Sequence, residues 1–249
     1  HDGKVTVMRL NEDGTIGEMT DEIFHKGIGS VAERNFRPHV NCVNITPDQK
    51  YLCAVDLGVD QVKIYKFNDE TGKITLVDML RCELESAPRI IKFSPDGRFA
   101  YLICELKNYI SVYTYKDGPR GPVFELVQTI STLNEYHSKG SAACVLRFSR
   151  DWNYVLCSNA GDNSVGIFKI DRETGMLEKI CILPVSGDYP KAADFFPDNR
   201  HIMSLNHETN TMTIFKINYE KKYFSMWGKP LKVETPNCIL VSEIEKLPS

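Results

Sequence analysis

Four times along this chain the same turn recurs inside the same apolar surroundings. It reads T-P-D-Q-K at 46–50, S-P-D-G-R at 94–98 and F-P-D-N-R at 196–200, with a worn copy, S-R-D-W-N, at 149–153. The aspartates of these turns, Asp48, Asp96, Asp151 and Asp198, stand 48, 55 and 47 residues apart. A repeat of that period made of strands and turns predicts stacked four-stranded blades.

Each copy carries four apolar segments. In the second, R-I-I-K-F enters the turn and F-A-Y-L-I-C leaves it, followed by Y-I-S-V-Y-T-Y and V-F-E-L-V-Q-T-I. Short, partly alternating runs of Val, Ile, Tyr and Phe suit half-buried strands. The connections N-D-E-T-G-K and D-R-E-T-G-M are polar turns with a glycine, where positive φ costs little. No segment sustains a helical period, so the expected fold is all-β, a β-propeller of antiparallel blades. Blades are predicted over 38–84, 88–133, 141–186 and 189–232. Residues 1–30 read as the third and fourth strands of an earlier blade, and 233–249 as a closing tail. A chain that starts in mid-blade would leave a sheet edge bare, which a closed ring avoids. The expectation is one propeller domain over 1–249 belonging to a longer polypeptide, or an arc closed by a second chain. Expressed alone it should associate or dissolve poorly.

Composition narrows the function classes. With 249 residues, 42% hydrophobic, 25% charged and a net charge of −3, the chain has ample core material and no basic footprint for nucleic acid. No apolar run approaches the ~18 residues of a membrane span, and H-D-G-K-V-T-V-M-R-L does not read as a signal peptide. None of the eight cysteines forms a C-x-x-C pair and most lie in strand segments. Buried reduced thiols in a cytoplasmic protein are expected. With no H-x-x-x-H, Cys/His cluster or acidic quartet at ligand spacing, neither metal nor cofactor is expected.

The chain resembles the seven-bladed lactonase family, which includes propeller-type 6-phosphogluconolactonases and carboxy-cis,cis-muconate cyclases. The resemblance runs through R-N-F-R-P-H-V-N at 34–41, A-V-D-L-G-V-D-Q-V at 54–62, A-P-R-I-I-K-F-S-P-D-G-R-F-A-Y at 87–101 and C-S-N-A-G-D-N-S-V at 157–165. It continues in G-D-Y-P-K-A-A-D-F at 187–195 and E-T-P-N-C-I-L at 234–240. It implies seven blades, with roughly 90 to 100 residues before His1, and it implies that E-T-P-N-C-I-L runs as an extra strand.

Antiparallel pairing around each turn brings the residue seven before the aspartate near those eight and nine after it. The entering positions are Asn41, Arg89, Cys144 and Lys191. The leaving ones are Asp56 with Leu57, Cys104 with Glu105, Asn159 with Ala160, and Asn206 with His207. On innermost strands these positions ring one mouth of a channel, a place for an anionic, oxygen-rich small molecule. Arg89 and Glu105 match the arginine and glutamate that the family carries in this blade. The resemblance implies a guanidinium that clamps an anion or steadies a lactone oxyanion, and a carboxylate that activates water. A structural ion pair is the competing reading.

His39 is an acid–base candidate, and Lys191, Asn41, Asn159, His207 and Asp56 are candidate substrate contacts. Asp56 equally suits ordering its own loop. Three departures from the family stand out. Asn41 replaces the second histidine of P-H-x-H, Ala160 replaces the arginine of S-N-R-G, and Lys191 stands where an arginine is common. His25, His137 and His201 are expected on the surface, and Lys221, Lys222, Lys229 and Lys232 as charges blunting an edge.

Two functions follow. The first is a lactone hydrolase resembling 6-phosphogluconolactonase, in which water attacks the carbonyl without metal. Arg89 and Lys191 hold the anion, Glu105 is the base and His39 relays a proton. The second is a non-catalytic propeller that binds a sugar acid or a protein at the same mouth.

Overall fold

The computed structural model describes residues 3–29, 35–135 and 140–242. His137 lies outside them. The chain divides into two compact units, one ending at Thr129 and the other beginning at Ile130.

The first unit opens with a two-stranded sheet, β1 (Lys4–Leu10) and β2 (Ile16–Phe24). Two four-stranded sheets follow. One runs β3 (Val40–Ile45), β4 (Tyr51–Asp56), β5 (Gln61–Asn68) and β6 (Lys73–Arg81); the other runs β7 (Pro88–Phe93), β8 (Phe99–Cys104), β9 (Tyr109–Gly118) and β10 (Gly121–Ser131). Strands are hydrogen-bonded in sequence order, the pattern of a meander. A 3-10 turn at Leu57–Val59 is the one helical element among the described residues. The second unit holds β11 (Ala143–Phe148), β12 (Tyr154–Asn159), β13 (Ser164–Ile170) and β14 (Leu177–Pro184). Its other sheet is β15 (Pro190–Phe195), β16 (His201–Asn206), β17 (Thr211–Asn218) and β18 (Tyr223–Met226), to which β19 (Leu231–Lys232) adds by pairing β17. The all-β expectation and the four-strand repeat both hold.

The turn aspartates hold the hairpins. Asp96 accepts from the Ser94 hydroxyl at 2.6 Å and from Arg98 N and Nε at 3.1 and 2.7 Å. Burial pulls its carboxyl upward, but these donors win and bring it down to about 2. Asp151 repeats the arrangement with Ser149 and Asn153. Second strands carry the core: all six side chains of β8 are buried. Ile91, Phe93, Ala100, Leu102, Val55 and Ile64 pack together in the first unit, and Leu156, Val165, Ile167, Ala193, Ile202 and Phe215 in the second. Burying the Val, Leu, Ile and Phe side chains among them is worth about 1.5–3 kcal/mol each.

Three expectations need correcting. E-T-P-N-C-I-L forms no strand, since no second strand is paired with it among the described residues, and side chains hold the segment instead. Arg147 Nη2 donates to Ile239 O at 3.4 Å and Arg150 Nη2 to Val241 O at 2.5 Å. His25 is buried rather than exposed, its Nδ1 2.6 Å from Asp56 Oδ2 and its Nε2 3.0 Å from the Tyr65 hydroxyl. His201, expected on the surface, is half-buried, standing 2.5 Å from Asp198 Oδ2 with its ring edge toward Trp227. The eight cysteines are free, and Cys238 is exposed.

Candidate functional site

The four entering positions share a structural device that strand alternation hides. In every complete sheet the register slips at that residue: between Val40 and Cys42, Pro88 and Ile90, Ala143 and Val145, and Pro190 and Ala192. Asn41, Arg89, Cys144 and Lys191 are therefore β-bulge residues. A bulge frees a residue from the ladder and re-aims its side chain.

Behind two of the bulges stands a fixed corner. Ala87 (φ 52) and Tyr189 (φ 59) are left-handed, and each precedes a buried proline. Neither residue type favours that region, so something must hold it. The holder is a side-chain oxygen from a residue twelve positions after a turn aspartate. Asp60 Oδ1 accepts from Ala87 N at 2.8 Å, and Asn163 Oδ1 from Tyr189 N at 2.8 Å. Both holders are themselves left-handed. Asp60 also accepts from Glu85 N at 2.8 Å and from Asn35 Nδ2 at 3.0 Å.

In the first unit this framework presents Arg89, whose Nη1 pairs with Glu105 Oε2. The Glu105 side chain is 2% exposed and that of Arg89 27%, so the carboxylate lies behind the guanidinium. Glu105 is fixed through its backbone, N to Ala87 O at 2.8 Å. Asn41 Nδ2 donates to Arg89 O at 3.1 Å and Asn44 Nδ2 to Ile91 O at 3.1 Å, so first strands of neighbouring sheets are tied together. The Asn41 amide thus holds the Arg89 backbone.

His39 belongs to the same neighbourhood. Burial pulls its imidazole below the ordinary value, Asp56 and then Glu105 pull it upward, and Arg89 pushes it down. Burial wins, so the imidazole lies below its ordinary value and its neutral form is favoured. Its backbone N–H reaches Asp56 Oδ1 at 2.7 Å, and its carbonyl accepts from Leu57 N at 3.0 Å. Asp56 accepts from Gly58 N as well, at 3.1 Å. A Cβ on Gly58 would stand 1.7 Å from Arg37 O and 2.9 Å from His39 N, so only glycine lets the 37–39 segment pass. The motif A-V-D-L-G is in this way the seat of His39. Asp56, expected among substrate contacts, has its carboxylate wholly buried and engaged with His25, His39 and Gly58.

In the second unit, Lys191 is half-buried with Nζ 5.7 Å from the Tyr189 ring centroid and 3.3 Å from Asn237 Oδ1. His207 is half-buried and its Nδ1 lies 3.3 Å from Pro236 O. Asn159 turns inward, Nδ2 donating to Thr132 O at 2.8 Å and Ser164 Oγ at 3.0 Å. Ala160 is fully buried. Among the described residues no group of three or more His, Cys, Asp or Glu is placed to hold a metal ion, and no helix is long and apolar enough to cross a membrane. The bulge, the left-handed corner and the clamp were missed from sequence, although the twelve-residue spacing and the X-Pro step were there to be read.

The family described as "Lactonase, 7-bladed beta-propeller" matches residues 1–241. A 6-phosphogluconolactonase of Bacillus subtilis is 28% identical over 96% of this chain and 67% of its own length. An uncharacterized protein of Lactococcus lactis is 33% identical over 96% and 69%. Among solved structures, a periplasmic gluconolactonase of Pseudomonas aeruginosa superposes with a TM-score of 0.86 at 26% identity, covering 94% of this chain and 65% of that one. The chain spans about two thirds of the length of these relatives.

Proposed function

We propose that this chain, which belongs to the seven-bladed β-propeller lactonase family, acts as a lactone hydrolase and supplies His39, Arg89 and Glu105 to the reaction. The observation that carries the reading is the bulge-borne Arg89 backed by the buried Glu105, with a neutral His39 in the field of both. The names of the relatives support a sugar-derived lactone as substrate.

Opening a lactone needs a water made nucleophilic, a place for the carbonyl oxygen's developing charge and a proton for the ring oxygen that leaves. His39, being neutral, takes the proton from water as its oxygen bonds to the carbonyl carbon. Arg89 donates to the oxyanion of the tetrahedral intermediate. As that intermediate collapses, the ring C–O bond breaks and His39 returns the proton to the alkoxide, leaving a hydroxy acid. Glu105, expected from sequence to be the base, is better placed to orient Arg89 and to steady the imidazolium. Side chains thus supply the acid–base chemistry without a metal. Eight free thiols, most of them buried, suit a reducing cytoplasmic compartment.

The test is hydrolysis of 6-phosphogluconolactone and of glucono-δ-lactone, scored against spontaneous opening, in the wild type and His39→Gln. Acceleration that His39→Gln removes supports the reading. Tight binding of the sugar acid without turnover assigns the chain to the non-catalytic alternative, which Asn41, an amide where the family carries an acid–base histidine, favours.

A further inference from the structure

The tail repeats the corner that stands behind Arg89 and Lys191. Thr235 is left-handed (φ 40), and it precedes a buried proline, Pro236, as Ala87 precedes Pro88 and Tyr189 precedes Pro190. A β-branched residue in that region is strained and persists only where it is held. It is held in the same way: Asn210, left-handed and twelve residues after Asp198, accepts from Thr235 N through Oδ1 at 2.7 Å. The sequence agrees, since P-N-C-I follows Thr235 as P-R-I-I follows Ala87 and P-K-A-A follows Tyr189. Asn237 therefore occupies, in the tail, the position filled by Arg89 and Lys191 in their own copies.

Charge balance points to what gathers there. Arg89 is matched by Glu105. Lys191 has no ion-pair partner among the described residues; a ring face and the Asn237 amide oxygen, both neutral, hold its ammonium. His207 also makes its side-chain hydrogen bond to this corner. The Asn237 amide nitrogen donates within the tail, to Thr235 O at 3.0 Å. An ammonium whose partners in this corner are all neutral suits an oxyanion.

We propose that Asn237 is a ligand-binding residue and that, with Lys191 and His207, it forms a corner that takes the phosphate group of a phosphorylated sugar lactone. In a lactone the carboxyl is tied up in the ring ester, so an anionic lactone must carry its charge on another group. The choice of ligand rests on the lactone reading; the corner itself does not.

The experiment is calorimetric titration of the protein with 6-phosphogluconate, gluconate and inorganic phosphate, comparing wild type with Asn237→Asp, Asn237→Ala and Lys191→Gln. Binding is read apart from turnover, so an inactive protein still answers the question. The wild type should bind 6-phosphogluconate more tightly than gluconate. Asn237→Asp, which sets a carboxylate beside Lys191, should weaken 6-phosphogluconate about tenfold or more, as loss of a charged hydrogen bond does, and leave gluconate nearly unchanged. Asn237→Ala should fall between, and Lys191→Gln should match Asn237→Asp. Inorganic phosphate should follow the phosphorylated acid. Equal affinities for the two acids in the wild type, or an unchanged preference in a folded Asn237→Asp, overturns the proposal. Lactone hydrolysis combined with an unchanged preference rejects the corner and keeps the enzyme; the reverse result does the opposite.

Discussion

His25 Nδ1 lies 2.6 Å from Asp56 Oδ2, with both side chains wholly removed from solvent. The pair joins the segment after β2 to the end of β4, and through Asp56 Oδ1 it reaches the His39 backbone at 2.7 Å. His25 thus helps to position His39 without facing the site.

Breaking this pair should be costly. His25→Ala leaves the buried Asp56 side chain with backbone donors alone, and a buried polar group that loses its hydrogen-bond partner costs about 1–3 kcal/mol. Denaturant melts should show that loss, whereas Lys4→Ala, at the exposed pair with Glu22, should cost no more than about 1 kcal/mol.

The clamp behind Arg89 gives a second expectation. Asp60→Ala orphans the N–H groups of Glu85 and Ala87. Stranding the buried Ala87 N–H costs about 1–3 kcal/mol, and the corner that aims Arg89 loses its hold. Activity per folded molecule should fall as well as stability, read by comparing rates with the melting curve.

These arrangements show where sequence reading reaches and where it stops. The turns, the strand order and the absence of helix were legible because Asp48, Asp96, Asp151 and Asp198 act on neighbours within a few residues. The candidates Arg89, Glu105, Lys191 and His207 followed from counting along two paired strands. Counting could not show the bulges, because alternation presumes an unbroken register. Nor could it show His25, whose burial depends on a carboxylate 31 residues further on. The tail misled for a related reason: the family resemblance implied an extra strand at E-T-P-N-C-I-L, but no strand is paired with it among the described residues.

The pH dependence of turnover has a defined sign. If neutral His39 is the base, activity falls as pH drops through its pKa, which lies below the ordinary 6.5. The acid limb of kcat/KM should sit below that value. Glu105 pulls the imidazole upward and Arg89 pushes it down. The limb of residual activity should therefore move lower in Glu105→Gln and higher in Arg89→Ala. Shifts in the same direction would remove His39 from the base role.

Thiol reactivity is a simple probe of the fold. Burial pushes the Cys53, Cys104 and Cys157 thiols up to about 12, so little thiolate forms at neutral pH. Cys238 is exposed in the tail. A maleimide should label Cys238 quickly and those three only on unfolding, as mass spectrometry of peptides would show.

The most direct test of the central claim is the lactonase rate of the double variant Arg89→Gln with Glu105→Gln. It removes both charges and strands neither, so stability should change far less than in either single variant. If Arg89 stabilises the oxyanion, hydrolysis of 6-phosphogluconolactone above the spontaneous rate should fall about 100-fold or more, the scale of losing an oxyanion donor. A folded double variant that hydrolyses the lactone at the wild-type rate would contradict the account.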